Sequence, residues 1–284
     1  MLDVAAPVAA LLALASALSF GSGDFLGGLA ARQVRTTSVL LWSYLLSGSL
    51  LVVASAATGG SPSLRDLVIG SGAGLLGAAG IGLLYQALAV GQMSAIAPVT
   101  ALLAAAIPVT AGFLQGEDPG PRPIAGMALA VVAVVLVSAE GGGSLRPSDA
   151  RGVTLALAAG VCFGLFYVGV ASTDDGSGLW PLLGARAASI VVVGGLALLG
   201  VIHAPAPRGR PAAWTAGAGV LDGAGNVLYL LAVREGLISV GTVLSSLYPV
   251  ATVALAWAVL RERFAPLQRV GMVVALPAIA LLTL

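Results

Sequence analysis

The chain of 284 residues is 58% hydrophobic and 9% charged, with a mean hydropathy of +1.04; soluble globular domains carry about 25% charged residues, so an all-α integral membrane protein is expected. Its 13 basic residues are all arginine and nearly cancel its 12 acidic ones, leaving no basic field to recruit nucleic acid. The single cysteine, Cys162, excludes an internal disulfide and a thiolate metal site, and the single histidine, His203, argues against a His-based metal centre, triad or proton relay; no cofactor is expected.

A bilayer-spanning helix needs roughly 20 mostly apolar residues, within about 17–25, and ten segments qualify. The first, 5–31, contains SFGSGDFLGG with Asp24 in its second half, and 36–57 follows. The third, 66–91, carries the glycine-rich run GAGLLGAAGIG (72–82) and then Tyr85 and Gln86. That run lies inside an apolar helix with no preceding strand and no acidic ribose partner, so it is not a nucleotide-binding fingerprint. Segments 94–115 and 122–140 complete the first half, with Pro98 and Pro108 inside the former.

The second half opens with 151–172, which holds Phe163-Gly164 and Tyr167, and continues with 179–202, in which Arg186 lies several residues deep. Segment 212–234 has Asp222 almost midway, followed by Asn226 and Tyr229. Segment 239–260 has Pro249 near its middle, and 266–284 holds Pro277. The connections are short and rich in glycine and proline, as in GEDPGPRP (116–123) and HAPAPRGRP (203–211). No segment is left over for a soluble domain. The N-terminal run lacks a basic flank and is long enough to span, so it does not read as a cleavable signal peptide.

Orientation follows the arginines. Arg32, Arg35, Arg146, Arg151, Arg208, Arg210, Arg261, Arg263 and Arg269 fall on one side, and Arg65, Arg122, Arg186 and Arg234 on or near the other. The first side is expected to be cytoplasmic, with both termini outside.

An internal repeat runs through the chain. Laying GAAGIGLLYQALAVGQMS (77–94) over DGAGNVLYLLAVREGLIS (222–239) matches Gly80 with Gly225, Leu83 with Leu228 and Ser94 with Ser239 at an offset of 145. The same register carries Glu117 onto Glu262, Pro121 onto Pro266 and Met127 onto Met272. The chain therefore reads as two five-helix units, 1–140 and 151–284, joined by a loop at 141–150. Five is odd, so the second unit enters the membrane from the opposite side, which is the inverted-repeat architecture of many secondary transporters.

These features resemble the drug/metabolite transporter superfamily in its EamA-like branch. Each half has a phenylalanine-glycine pair in its first helix (Phe20-Gly21, Phe163-Gly164) and a tyrosine with a nearby alanine pair in its third (Tyr85 with Ala87-Leu88, Tyr229 with Ala232-Val233). Each also has a proline inside its fourth helix and a closing acidic residue. The first half departs from the pattern: Pro108 lies one turn later than Pro249 in the 145 register, and QGEDP (115–119) lacks a basic residue beside Glu117. The resemblance implies a cavity surrounded by helices 1, 3, 4, 6, 8 and 9, and leaves the substrate open among amino acids, other metabolites, drugs, sugars and nucleotide-sugars.

An aspartate at a helix centre costs at least ~2.5–3.5 kcal/mol, so such a residue normally faces a cavity or a partner. Asp222 is the stronger candidate, with Asn226 four residues on and on the same helix face and Tyr229 close to that face. Asp24 lies roughly 10 Å from the midplane at ~1.5 Å per residue, within reach of the cytoplasmic mouth. A low dielectric favours the neutral form of a carboxyl group, so a midplane carboxylate suits proton coupling or an amine-bearing substrate. By the repeat, Gly77 and Ile81 stand where Asp222 and Asn226 do, so the site is asymmetric. Tyr85, Gln86 and Tyr167 add groups for a ligand, or else serve packing and the interface.

Arg186 is read as snorkelling to the surface, with a substrate-carboxylate role as the alternative. Glu117, Glu262, the cluster at 261–263 and Arg234-Glu235 are read as loop-end ion pairs. The pairs Gly23/Gly27, Gly70/Gly74 and Gly219/Gly223 have the small-xxx-small spacing that lets helices approach closely. Pro249 is the expected gate hinge.

The expectation is a multi-pass protein of a bacterial-type plasma membrane, a secondary transporter that exports a small organic metabolite (amino acid, amine or drug-like compound) by alternating access, with or without proton coupling. The partners expected are that solute, protons where coupling operates, and lipids. Alternatives are an uptake carrier or exchanger for sugar or nucleoside-like solutes and, in other classes, a channel or an intramembrane lipid-modifying enzyme. An enzyme needs a nucleophile with a base or a metal cluster, and the chain offers neither arrangement.

Overall fold

A computed structural model describes residues 5–90, 93–138, 147–261 and 265–283. Its helices are α1 (Ala5–Ala31), α2 (Thr36–Thr58), α3 (Leu64–Val90), α4 (Met93–Leu114), α5 (Pro121–Ser138), α6 (Pro147–Ala171), α7 (Trp180–Leu198), α8 (Arg210–Glu235), α9 (Ile238–Ser245), α10 (Tyr248–Leu260) and α11 (Pro266–Thr283). There is no strand among the described residues. Arg146, Glu262, Arg263 and positions 141–146 of the central loop lie outside them.

Among the described residues seven stretches are long and apolar enough to cross a membrane: 7–31, 36–58, 64–90, 151–171, 180–198, 210–235 and 238–260. Three shorter apolar helices lie at 99–114, 121–133 and 266–282. The side chains are distributed as a lipid environment demands. Leu11, Val53, Val191 and Leu276 are each about two-thirds exposed, while Asp24, Arg186, Asp222 and Asn226 are buried. Water would penalise that arrangement, whereas hydrocarbon penalises its reverse.

The ninth predicted segment is interrupted between α9 and α10. Pro249 lacks the N–H that would bond the Ser245 carbonyl, and the ladder tightens across the gap: Leu247 N–H donates to Leu244 O (3.2 Å) and Val250 N–H to Leu247 O (3.0 Å). Pro249 thus sits in the first turn of α10 rather than in mid-helix. Pro277 lies inside the continuous α11.

Glycines set the packing, and they set it twice. A β-carbon at Gly80 would lie 2.7 Å from the Phe163 ring, and one at its repeat partner Gly225 would lie 2.6 Å from the Phe20 ring. Gly70 and Gly74 seat α3 on the backbone of Pro181 and Ala185 in α7, while Gly219 and Gly223 seat α8 on Ser43 and Ser47 in α2. The principal contacts follow the same exchange: α1 against α8 corresponds to α6 against α3, and α3 against α7 to α8 against α2.

One end of the bundle is tied by polar groups. Asp66, buried at the start of α3, accepts from Ser177 Oγ (2.7 Å) and the Asp174 N–H (3.2 Å). The Ser61 N–H donates to Gly176 O (2.8 Å). Arg234, at the end of α8, donates to Gly178 O (2.9 Å) and Asp174 O (3.0 Å), and its Nε lies 3.1 Å from exposed Asp175. Among the described residues Glu117 has no ion-pair partner of the kind expected of it. Its carboxylate instead accepts the Ile238 and Ser239 N–H groups (2.7 and 3.0 Å), capping α9, whose own N-cap, Leu237, offers no side-chain acceptor.

The packing predicts that Gly74→Ala, which drives a methyl into the Ala185 backbone, lowers the melting temperature in detergent by about 3–10 °C. Gly72→Ala, with nothing within 4 Å, should leave it unchanged or raise it, because alanine is the better helix former. Equal effects of the two would refute this account of the α3–α7 contact.

Candidate functional site

A narrow cavity lies in the middle of the bundle, lined from α1 by Phe20 and Asp24, from α2 by Tyr44, from α3 by Gly77 and Ile81, and from α6 by Phe163, Phe166 and Tyr167. Arg186 and Ser189 enter from α7, Asp222 and Asn226 from α8, and Tyr248 from the start of α10. Its volume is about 40 Å³, room for about three waters at roughly 10–15 Å³ each. The helices expected to surround it included α4, none of whose described side chains lines it. Instead α2 and α7 do, because the glycines of α8 and α3 draw them inward.

Asp222 is held on both oxygens. One pairs with the Arg186 guanidinium, and the other accepts from Asn226 Nδ2 at 3.3 Å; the same amide donates to the Asp222 carbonyl at 2.7 Å. Arg186 therefore does not snorkel. It is 8% exposed, and its guanidinium carbon lies 4.4 Å from the Tyr44 ring centroid, a cation–π geometry. The physical reason is mutual: an isolated charge of either sign is very costly in this medium, and each supplies the other's missing partner. Ser189 extends the polar strip, its Oγ lying 2.8 Å from both the Gly74 and Ala185 carbonyls.

Asp24 differs. It is 7% exposed and lines the same cavity, yet no group among the described residues hydrogen-bonds or ion-pairs with its carboxylate. Its neighbour Gly23 packs against the Asp222 backbone, where a β-carbon would lie 3.4 Å from the Asp222 nitrogen. The two carboxylates thus share one level of the bundle.

Of the residues singled out in the sequence, Asp24, Tyr167, Asp222 and Asn226 meet at the cavity. Tyr85 is buried behind it, its ring against Gly27, and Tyr229 is buried with its hydroxyl 3.0 Å from Thr242 Oγ1. The Tyr229 and Tyr167 rings meet at a 41° tilt with centroids 4.5 Å apart, and Phe20 and Phe166 flank Tyr167 at 6.0 and 5.5 Å. Gln86 is exposed and does not reach the cavity. Pro249 lies next to the cavity residue Tyr248.

Tyr44 and the inward course of Arg186 were missed by sequence reasoning. Two signals existed: Ser43, Tyr44 and Ser47 form a polar patch inside α2, and one arginine and one aspartate both lie deep in apolar runs. No group of His, Cys, Asp and Glu side chains that could hold a metal ion occurs among the described residues.

Apolar exterior, paired internal helices and an enclosed polar centre define a multi-pass membrane protein built around an internal site. The EamA-like transporter family matches residues 7–139 and 150–284. The chain belongs to that family, and at this level of description it is a membrane transporter of small solutes. A solved crystal structure is similar in fold, with a TM-score of 0.76 at 20% identity over 97% of this chain and 98% of the other. No curated protein matches the sequence.

The ion pair makes a stability prediction. Asp222→Ala strands Arg186 and should cost about 3–5 kcal/mol, against about 1 kcal/mol for Asn226→Ala. Asp24→Asn removes no partner, so unfolding in mild detergent should show it as stable as wild type or more so. An Asp24→Asn protein as unstable as Asp222→Ala would refute the assignment of partners.

Proposed function

We propose that this protein is a secondary transporter exporting a small organic metabolite by alternating access, with ten spans arranged as two inverted repeats (1–140 and 151–284) in a bacterial-type plasma membrane. The observation that carries this reading is the cavity itself: buried charges and aromatic rings contributed by both repeats, with repeat-related positions meeting across it. Gly77 and Ile81 of one repeat and Asp222 and Asn226 of the other line the same space. Two halves of similar backbone can exchange conformations and open such a site to either side in turn.

The cavity volume supports a contracted state in which a metabolite-sized solute enters only after helices separate. The break before Pro249 is the place where α10 can swing relative to α9. Coupling to protons requires a carboxylate free to take one, and Asp24 fits that role better than Asp222, which is committed to Arg186 and Asn226.

Reconstitution into liposomes tests the proposal. Wild-type protein should accumulate members of a pooled metabolite and amine library under an imposed pH gradient. Asp24→Asn should lose the gradient-driven part, whereas Pro249→Ala should slow flux with or without a gradient. Ion conduction at channel rates, or no solute flux under any gradient, would overturn the reading.

The tied end makes a second prediction. In a Cys162→Ser background with a reporter cysteine at Ala78, a cavity position, Asp66→Ala should raise labelling by an impermeant thiol reagent added on the side of the 58–64 loop. Unchanged labelling would show that the Asp66 contacts do not hold this end closed.

A further inference from the structure

Among the described residues three acidic or basic side chains line the cavity: Asp24, Asp222 and Arg186. Two of them neutralise each other. Arg186 spends its guanidinium on one Asp222 oxygen and on the Tyr44 face, and Asn226 occupies the other oxygen. An anionic solute arriving here meets a guanidinium whose charge Asp222 already offsets, though its buried Nε has no hydrogen-bond partner among the described residues, and a second carboxylate that repels it. A cation meets the opposite: Asp24 is buried, faces the cavity, and has no partner among the described residues.

The walls around that carboxylate are aromatic. Phe20 lies four residues before Asp24 and so on the same face of α1. Phe166, Tyr167 and Tyr248 complete the lining nearby. Ring faces attract a cationic head and accommodate an apolar body, whereas a hard inorganic ion needs about six or more oxygen ligands at short range. The side chains lining the cavity around Asp24 offer rings, the hydroxyls of Tyr167 and Tyr248, and the Asp222 carboxylate that Arg186 already holds, which is a poor oxygen cage and a good seat for an organic ammonium.

We propose that the cavity selects organic amines, with Asp24 as the ammonium-binding residue and the Arg186–Asp222 pair offsetting its own charge, so that the uncommitted charge of the site is negative. This rests on the transporter reading and narrows its substrate class: solutes carrying an ammonium and an apolar or aromatic body, rather than anions. The repeat explains why one such group suffices. The cavity's polar side chains are concentrated in the second repeat and on α1, and the α3 positions equivalent to Asp222 and Asn226 are Gly77 and Ile81, which leave an apolar wall for the body of the ligand.

The test is equilibrium binding to the purified full-length protein in detergent, read by calorimetry, with three probes of matched shape: 2-phenylethylamine, its neutral N-acetyl derivative and 3-phenylpropionate. Wild type should bind the amine and neither of the others. Asp24→Asn should weaken amine binding by at least about tenfold, the loss of one charge-assisted contact, and Asp24→Glu should restore most of it. Equal binding of the three probes, preference for the carboxylate, absence of amine binding, or an Asp24→Asn protein that binds like wild type would each overturn the proposal. Should Asp24→Asn fail to fold, the probe comparison on wild type and the Asp24→Glu protein still decides. Binding needs no translocation, so amine binding without flux in liposomes sinks the transporter reading and keeps the site, while flux of an anionic solute without amine binding does the reverse.

Discussion

Inside a bilayer a guanidinium and a carboxylate have no water to return to, so Arg186 and Asp222 must hold each other or neither can stay where it is. Their helices are not primarily packed on one another. α7 rests on α3 and α2, and α8 on α1 and α2, so the pair closes only when the first repeat brings both to the right depth. Gly70 and Gly74 provide one of those seats and Gly219 and Gly223 the other. A residue with a β-carbon at any of these four positions would push a helix outward and lengthen the distance between the charges. The small residues and the ion pair are thus one construction.

That construction separates backbone symmetry from side-chain asymmetry. The Gly80–Phe163 and Gly225–Phe20 contacts repeat each other closely, as does the order in which helices pack. The chemistry does not repeat: Asp222 and Asn226 face the cavity from one repeat, and Gly77 and Ile81 from the other. An exchange of conformations between halves asks only that the backbones be alike. The amine proposed above would ask for a charge at one place and an apolar wall at another, and both demands can be met because they fall on different atoms.

The helices, the 145-residue register and the close-packing glycines were legible in the sequence because each depends on local composition or fixed spacing. Asp24, Asp222, Asn226 and Tyr167 were legible as cavity residues because a polar group deep in an apolar run has few other places to go. Arg186 was not, since snorkelling was judged along its own helix, whereas its direction is decided by a carboxylate 36 residues away on another. Tyr85 and Gln86 show a different limit. Adjacent helical residues point about 100° apart at 3.6 residues per turn, so both could not face inward, and spacing alone did not say which one would. Pro249 announced an interruption in the ninth segment, but the break itself falls at Ser246 and Leu247, where the freed carbonyls turn to tighter hydrogen bonds.

The tied end of the bundle bears on how such a molecule would move. Its bonds cross between repeats: Asp66 and the 58–64 loop belong to the first and Ser177 and Asp174 to the second, while Glu117 of the first caps α9 of the second. Rocking one repeat against the other must break them. Each hydrogen bond is worth about 0.5–1.5 kcal/mol net, and the exposed Arg234–Asp175 contact at most about 1 kcal/mol. Together they amount to a few kcal/mol, the size of gap that separates two interconverting conformers. Bonds of this strength hold one end shut without making the closed state permanent, and because they lie outside the apolar core they can exchange for water as the helices part. The buried Arg186–Asp222 pair has no such exchange available. On the transport reading proposed above it would belong to a part that stays assembled through the motion, and Asp24 beside it, with no partner among the described residues, would be the group that responds to what enters.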